Sequence, residues 1–219
     1  MSRKTIVISG GTLEEGFVLE VLKNTEHTYL IGVDRGNAFL YEHGCCPTHI
    51  VGDFDSLSPE IVKYYQTKTT IPIQEFDPVK DASDTEMAVR LALELKSDEI
   101  LLLGATGTRM DHVWANIQVL FVAKEANVKM EILDPYNRIC IISEETHLTK
   151  ENAYGDFFSV FPLGGAVPHF SIEGAKYPLT DHTLTPYDSL CVSNEIKADE
   201  VVITFPKGNV ILMETRENY

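Results

Sequence analysis

The sequence predicts an α/β N-terminal domain with a mostly parallel sheet over residues 1–136, followed by an all-β, antiparallel, sandwich-like C-terminal domain over residues 137–219. Two observations carry this. In the first stretch, short apolar runs alternate with segments of helical period. That rhythm builds strand–helix–strand units, whose right-handed crossovers give parallel sheets with helices on both faces. After about residue 136 the helical period stops. RICIIS, DFFSVFPL, SIEG, SLCVSN, EVVITF and NVILME are short β-type runs separated by Gly, Pro, Asn and Asp, the pattern of an antiparallel sandwich or barrel.

The elements of the first domain follow in order. TIVISG (5–10) is a buried strand and EEGFVLEVLKN a helix. YLIGVD (29–34) is the next strand, followed by a short helix through Phe39 and Leu40. HIVGD (49–53) is the third strand, after which Ser58 caps a helix with Pro59 at its first position. A strand is expected over 69–76. In SDTEMAVRLALEL, Ser83 and Glu86 form a capping box that makes Asp84 the first helical residue. EILLLG (99–104) is a strand. MDHVWANIQVLFVAKEA is a helix that places Val113, Ile117, Leu120 and Phe121 on one face, and VKMEILD (128–134) is the last strand of this half.

Composition narrows the function. The 219 residues carry a net charge of −15, which disfavours a nucleic-acid backbone as partner. No apolar run reaches membrane-spanning length, and MSRKTIVISGG lacks the apolar segment of a signal peptide. Cys45, Cys46, Cys140 and Cys191 form no CxxC pair, so reduced thiols, no zinc site and a cytoplasmic location are expected.

Ligands of open parallel sheets bind at the carboxyl ends of the strands. Four polar clusters fall there: Asp34 in GVDRG, Asp53 and Asp55 in VGDFDSL, Asp81 and Asp84 in KDASDTE, and Gly104 to His112 in GATGTRMDH. Asp53 and Asp55 alternate around Phe54 and point the same way, an arrangement that calls for a cation, a shared proton or open solvent. Solvated loop acids would explain one such pair, but hardly four clusters on one rim. Asp53, Asp55 and Asp84 offer the hard oxygen ligands suited to Mg2+. Gly104 and Gly107 let backbone amides approach a phosphate, and the following helix start adds its dipole. Arg109 can grip phosphate oxygens in a bidentate way, although a salt bridge to Asp111 would equally explain it. His112 and Asn116, one turn apart, also read as a polar helix flank. Together the parts point to phosphoryl or pyrophosphoryl transfer.

In their order and spacing, GVDRGNAFL, VGDFDSL, KDASDTEMAV, GATGTRMDHVWANIQVL and SLCVSNE resemble the motifs of the thiamine pyrophosphokinase (thiamine diphosphokinase) family, from about Ile31 to the C-terminus. The resemblance implies an ATP-binding catalytic domain over residues 1–136 and a thiamine-binding β domain over 137–219. It implies Mg2+-dependent transfer of the terminal pyrophosphate of ATP to the thiamine hydroxyl with release of AMP, in a homodimer whose active sites lie between chains. It places Asp34, Asp53, Asp55, Ser83 and Asp84 on the acidic metal and phosphate site, with Asp53, Asp55 and Asp84 as metal ligands. By the same resemblance, Asp53, Asp55, Asp84 and Arg109 are expected to carry the catalysis. Asp34, Ser83, Gly104, Gly107, Arg109, Asp111 and His112 are implied to bind ATP, and Ser193 with Asn194 to bind thiamine. The chain departs from the family pattern at Arg35 and Asn37, which replace small residues, and at Thr108, which replaces a second glycine. The alternatives are a metal-dependent pyrophosphokinase or phosphohydrolase acting on another alcohol or nucleotide, and a non-catalytic nucleotide-binding module. Product analysis separates the first, and tolerance of Asp84→Asn the second.

Overall fold

The computed structural model describes residues 2–52, 57–74 and 82–217. It divides into two compact units, Met1–Pro135 and Tyr136–Tyr219.

The first unit runs β1 (Lys4–Ile8), α1 (Glu15–Asn24), β2 (Tyr29–Val33), α2 (Arg35–Glu42), β3 (His49–Val51), α3 (Pro59–Lys68), β4 (Ile73–Gln74), α4 (Asp84–Glu94), β5 (Glu99–Leu103), α5 (Met110–Glu125) and β6 (Lys129–Leu133). Its strands lie in the order β4-β3-β2-β1-β5-β6, and every pairing among them is parallel. Ile6, Val7 and Ile8 of β1 are all fully buried, as a central parallel strand covered on both faces must be. Ile6 and Ile8 pack with Val18 of α1 and with Phe39 and Leu40 of α2. Strand alternation sends Val7 and its register partner Ile31 to the opposite face, where both are also buried. Ile61 and Tyr65 of α3 close a smaller core with Ile50 and Leu57, and the Tyr65 hydroxyl donates to the Asn37 carbonyl at 3.0 Å.

Three side chains start helices. Glu14 accepts from the Phe17 amide at 2.6 Å, Ser58 from Ile61 at 3.4 Å and Ser83 from Glu86 at 3.2 Å. The reciprocal half of the expected capping box is replaced, because Glu86 spends its carboxylate on Arg90 one turn later. Of the strand expected over 69–76, the described residues show β4 at Ile73–Gln74; Thr69 still terminates α3, and residues 75 and 76 lie outside the described residues. The buried arc of α5 runs through Asn116, Ile117, Val119, Leu120 and Ala123. Phe121, one step of about 100° beyond Leu120, leaves that arc and is 36% exposed.

The second unit contains β7 (Asn137–Ile142), β8 (Thr146–Thr149), β9 (Phe157–Leu163), β10 (Val167–Glu173), β11 (Leu179–Leu184), β12 (Glu200–Thr204) and β13 (Asn209–Thr215). β13 pairs antiparallel with β7 and β9, while β11-β10-β12-β8 form a second antiparallel sheet. Phe158, Val160, Val210 and Leu212 from the first group meet Leu148, Phe170, Ile172, Leu184, Val201 and Ile203 from the second in one core. This is the two-layer packing expected of a sandwich. SLCVSN is not a strand. Leu190 and Val192 are exposed, and only Asn194 makes an isolated bridge, to Phe158.

The four cysteines are free, and among the described residues no helix is long and apolar enough to cross a membrane.

Glu214 on β13 faces its register partner Arg138 on β7 and is 2% exposed. Its carboxylate accepts from Arg138 Nε at 2.7 Å, from Nη2 at 2.8 Å and from the Tyr154 amide at 2.9 Å. Removing one member strands a buried charge. Arg138→Met is therefore expected to lower unfolding free energy by about 3–5 kcal/mol in urea titrations. The double variant Arg138→Met/Glu214→Leu should lose clearly less.

Candidate active site

A cavity of about 560 Å³ opens at the carboxyl ends of β2, β1 and β5, within the first unit. Ser9 to Thr12 follow β1, Asp34 and Arg35 follow β2, and Asp84 and Thr85 open α4. Gly104 to Arg109 follow β5, with His112, Val113 and Asn116 on α5 completing the wall.

Its floor is backbone. The Ser9 amide donates to the Leu103 carbonyl at 2.8 Å, Gly11 to Gly104 at 2.8 Å and Thr12 to Thr106 at 2.7 Å. Gly104 has φ +67°, and a Cβ there would meet the Ser9 carbonyl oxygen at 2.4 Å. A Cβ on Gly11 would meet the Gly104 and Thr106 carbonyl oxygens, both at 2.4 Å. The two loops thus approach only because neither carries a side chain at the crossing. Bracing comes from the flanking elements. The buried hydroxyls of Ser9 and Thr85 share a hydrogen bond of 2.7 Å. Asn116 Nδ2 donates to the Ala105 carbonyl at 2.8 Å, and the Thr106 hydroxyl donates to Asp134 at 2.7 Å.

Asp34 stands at the N-cap of α2 with φ 47° and ψ −124°, and its carboxylate makes no capping bond. Such a conformation in a non-glycine residue stores about 1–3 kcal/mol, and strain of this kind collects at functional sites. Gly52, just past β3, leaves room for this carboxylate: a Cβ there would lie 2.6 Å from Asp34 Oδ1. Asp84 is the first residue of α4, where the helix dipole favours an anion. Arg109 at the start of α5 donates from Nε and Nη2 to the two carboxylate oxygens of Asp111. The hydrogen bond from Arg109 pulls the Asp111 carboxyl down to about 2, and the same pair raises the guanidinium. Both side chains remain about two-thirds exposed.

Of the residues expected in the site, Asp34, Asp84, Gly104, Gly107, Arg109 and His112 line this cavity. Ser83 and Asp111 do not; the first caps α4 and the second holds Arg109. Asp53 and Asp55 lie outside the described residues, as does Asp81. Among the described residues no three His, Cys, Asp or Glu side chains are grouped to hold a metal ion. Sequence reasoning missed Ser9 to Thr12, Thr85 and Arg35. The Gly-Gly pair directly after TIVIS was the available signal for the first of these.

In the second unit, Asn194 is 2% exposed. Its Oδ1 accepts from the amides of Tyr177 and Glu195, both at 3.0 Å, and its Nδ2 donates to the Tyr177 carbonyl at 2.8 Å. Ser193 has φ +55° and an exposed side chain, and its amide donates to Ser159 Oγ at 3.0 Å.

Gly104→Ala tests the floor. The added methyl both strains a positive φ and collides with the Ser9 carbonyl, so a loss of about 2 kcal/mol or more in unfolding free energy is expected. Urea titrations and thermal melts of the variant against wild type measure the effect.

Two family descriptions match the chain: "Thiamin pyrophosphokinase, catalytic domain" over residues 21–132 and "Thiamin pyrophosphokinase, vitamin B1 binding domain" over residues 145–210. The thiamine pyrophosphokinase of Bacillus subtilis (strain 168) is 30% identical over 192 residues, which cover 88% of this chain and 89% of that protein. The crystal structure of thiamine pyrophosphokinase from Bacillus subtilis superposes with a TM-score of 0.86 at 27% identity, covering 99% of this chain and 100% of the other. That of thiamin pyrophosphokinase from Geobacillus thermodenitrificans gives 0.82 at 30% identity, with 98% of each chain covered. A parallel-sheet unit with a glycine-floored, carboxylate-lined cavity, a β-sandwich unit and these matches along both place the chain in the thiamine pyrophosphokinase family.

Proposed function

We propose that this chain transfers the pyrophosphoryl group of ATP to the hydroxyl of thiamine, giving thiamine diphosphate and AMP. The observation that carries the reading is that catalytic-domain and vitamin B1 binding descriptions both match one chain, whose first unit holds a cavity suited to a polyphosphate.

In this reading the substrate alcohol attacks the β-phosphorus in line, and AMP leaves. Amides of the glycine loops and the start of α5 receive the phosphates, with Arg109 at the rim. A carboxylate of the acidic cluster accepts the hydroxyl proton. Asp34 and Asp84 both present hard oxygen donors to the cavity, a donor set that fits Mg2+. We assign the ion to Asp53, Asp55 and Asp84. Bound there, it supplies neutralisation of charge on the polyphosphate. Ser193 serves thiamine through its exposed hydroxyl, and Asn194 shapes the turn that presents it. The same proposal includes a homodimer with active sites shared between chains and a cytoplasmic setting. Exposed Met110 and Trp114 on α5 support an interface, and the four free thiols support a reducing compartment.

Incubation with ATP, Mg2+ and thiamine is expected to yield thiamine diphosphate and AMP by mass spectrometry; free phosphate without diphosphorylated thiamine overturns the reading. Excess chelator should abolish turnover, and Asp84→Asn should lower it about 100-fold with the melting temperature retained. On the thiamine side, Ser193→Ala should weaken thiamine binding severalfold without loss of stability. Asn194→Ala should cost about 1 kcal/mol of stability or more, because it removes the three hydrogen bonds by which the buried amide ties the backbone of Tyr177 and Glu195. Calorimetric titration and thermal melts of the two variants read both effects.

A further inference from the structure

We propose that Arg35 is a second phosphate-binding residue of the cavity, gripping polyphosphate oxygens of the nucleotide from the α2 side. This rests on the ATP reading proposed above. The basic side chains lining the cavity among the described residues are Arg35, Arg109 and His112. Arg109 is partly engaged, since two of its nitrogens donate to the Asp111 carboxylate. Arg35 makes no ion pair or side-chain hydrogen bond among the described residues, so its five donors are unspent.

The stem of Arg35 is nevertheless fixed. It is the first residue of α2, directly after the strained turn at Asp34. The start of α2 lies beside the glycine loop after β1: a Cβ on Gly10 would come within 3.4 Å of the Arg35 amide nitrogen and 3.6 Å of its Cβ. The next residue, Gly36, abuts the Ile8 carbonyl so closely that a Cβ would fall 2.0 Å from its oxygen, which pins the helix start to the central strand. An anchored stem with a free guanidinium is the arrangement that planar, bidentate recognition of phosphate needs. The demand for it is electrostatic. The chain carries −15 overall, and Asp34 and Asp84 line the same cavity. A polyphosphate entering there needs cationic contacts that the Arg109–Asp111 pair supplies only in part.

The test compares wild type with Arg35→Ala, Arg35→Gln and Arg35→Lys by calorimetric titration with a non-hydrolysable ATP analogue plus Mg2+, and separately with thiamine. Losing charge-assisted contacts should weaken analogue binding about ten- to a hundredfold in the Ala and Gln variants. The Lys variant should recover part of the loss, because it restores the charge and not the fork. Thiamine binding and melting temperature should stay at wild-type values, and the KM for ATP should rise while that for thiamine does not. If Arg35→Ala loses its fold, Arg35→Gln carries the comparison. Wild type that binds the analogue, with Ala or Gln variants that bind it equally well, overturns this proposal alone. Wild type that does not bind the analogue overturns the nucleotide reading and this proposal together.

Discussion

Two loops meet with no side chain between them, and the geometry of the cavity descends from that contact. The chain after β1 and the chain after β5 exchange backbone hydrogen bonds at Gly11 to Gly104 and Thr12 to Thr106. Both glycines would drive a Cβ into a carbonyl oxygen. With the strands fixed in register by the β1–β5 ladder, this contact sets where the following segment can enter α5. Arg109, His112 and Asn116 are carried on that entry. Asn116 then returns a hydrogen bond to the Ala105 carbonyl, so the helix and the loop hold each other. Rigidity is the functional point. Amides that must meet a developing charge help only if they need not reorganise at that moment.

What could be read in the sequence was whatever leaves a local period. β1, β2, β5 and β6 are apolar runs of strand length, and the caps at Ser58 and Ser83 are chemical signals that the structure reproduces as hydrogen bonds. β8 and β11 were illegible. THLT buries only Leu148, and LTDHTL buries only Leu184. They are strands because neighbours supply ladder partners, a tertiary fact with no local pattern. SLCVSN failed in the opposite sense, with strand composition and exposed Leu190 and Val192. Asp34 and Asp84 were legible as rim residues because strand ends in a parallel sheet all open on one side, whereas Asp53, Asp55 and Asp81 lie outside the described residues. The order of the strands was not legible. It sets β1 between β2 and β5 and so brings Ser9 to Thr12 into the cavity. The same topology puts Thr85 against Ser9, 76 residues away in sequence.

The electrostatics look paradoxical for a chain of net charge −15 that is to receive a polyanion. Net charge describes the whole surface, whereas binding is decided by a few groups at short range. Within the cavity the structure arranges these by position in secondary structure. Helix starts at α2, α4 and α5 point amide dipoles at the space, and carboxylates sit at two of them, Asp34 and Asp84. Asp111 has a different part. Its carboxyl, drawn down by the hydrogen bond from Arg109, pairs with the guanidinium at the exposed rim.

Ser193 and Asn194 show why adjacent motif residues need not share a role. Asn194 turns inward, and its amide group is consumed by the Tyr177 and Glu195 backbone, while its own backbone pairs with Phe158 in both directions. A side chain with both of its polar atoms engaged in a buried turn has little left to offer a ligand without breaking that turn. Ser193, one step earlier, is held at positive φ with its amide tied to Ser159, and this throws its hydroxyl outward. The inward residue therefore fixes the backbone from which the outward one projects. A pair such as Ser-Asn suits this division because a short amide tolerates tight turns and satisfies several backbone groups at once, while a hydroxyl presents one compact donor and acceptor to solvent or ligand.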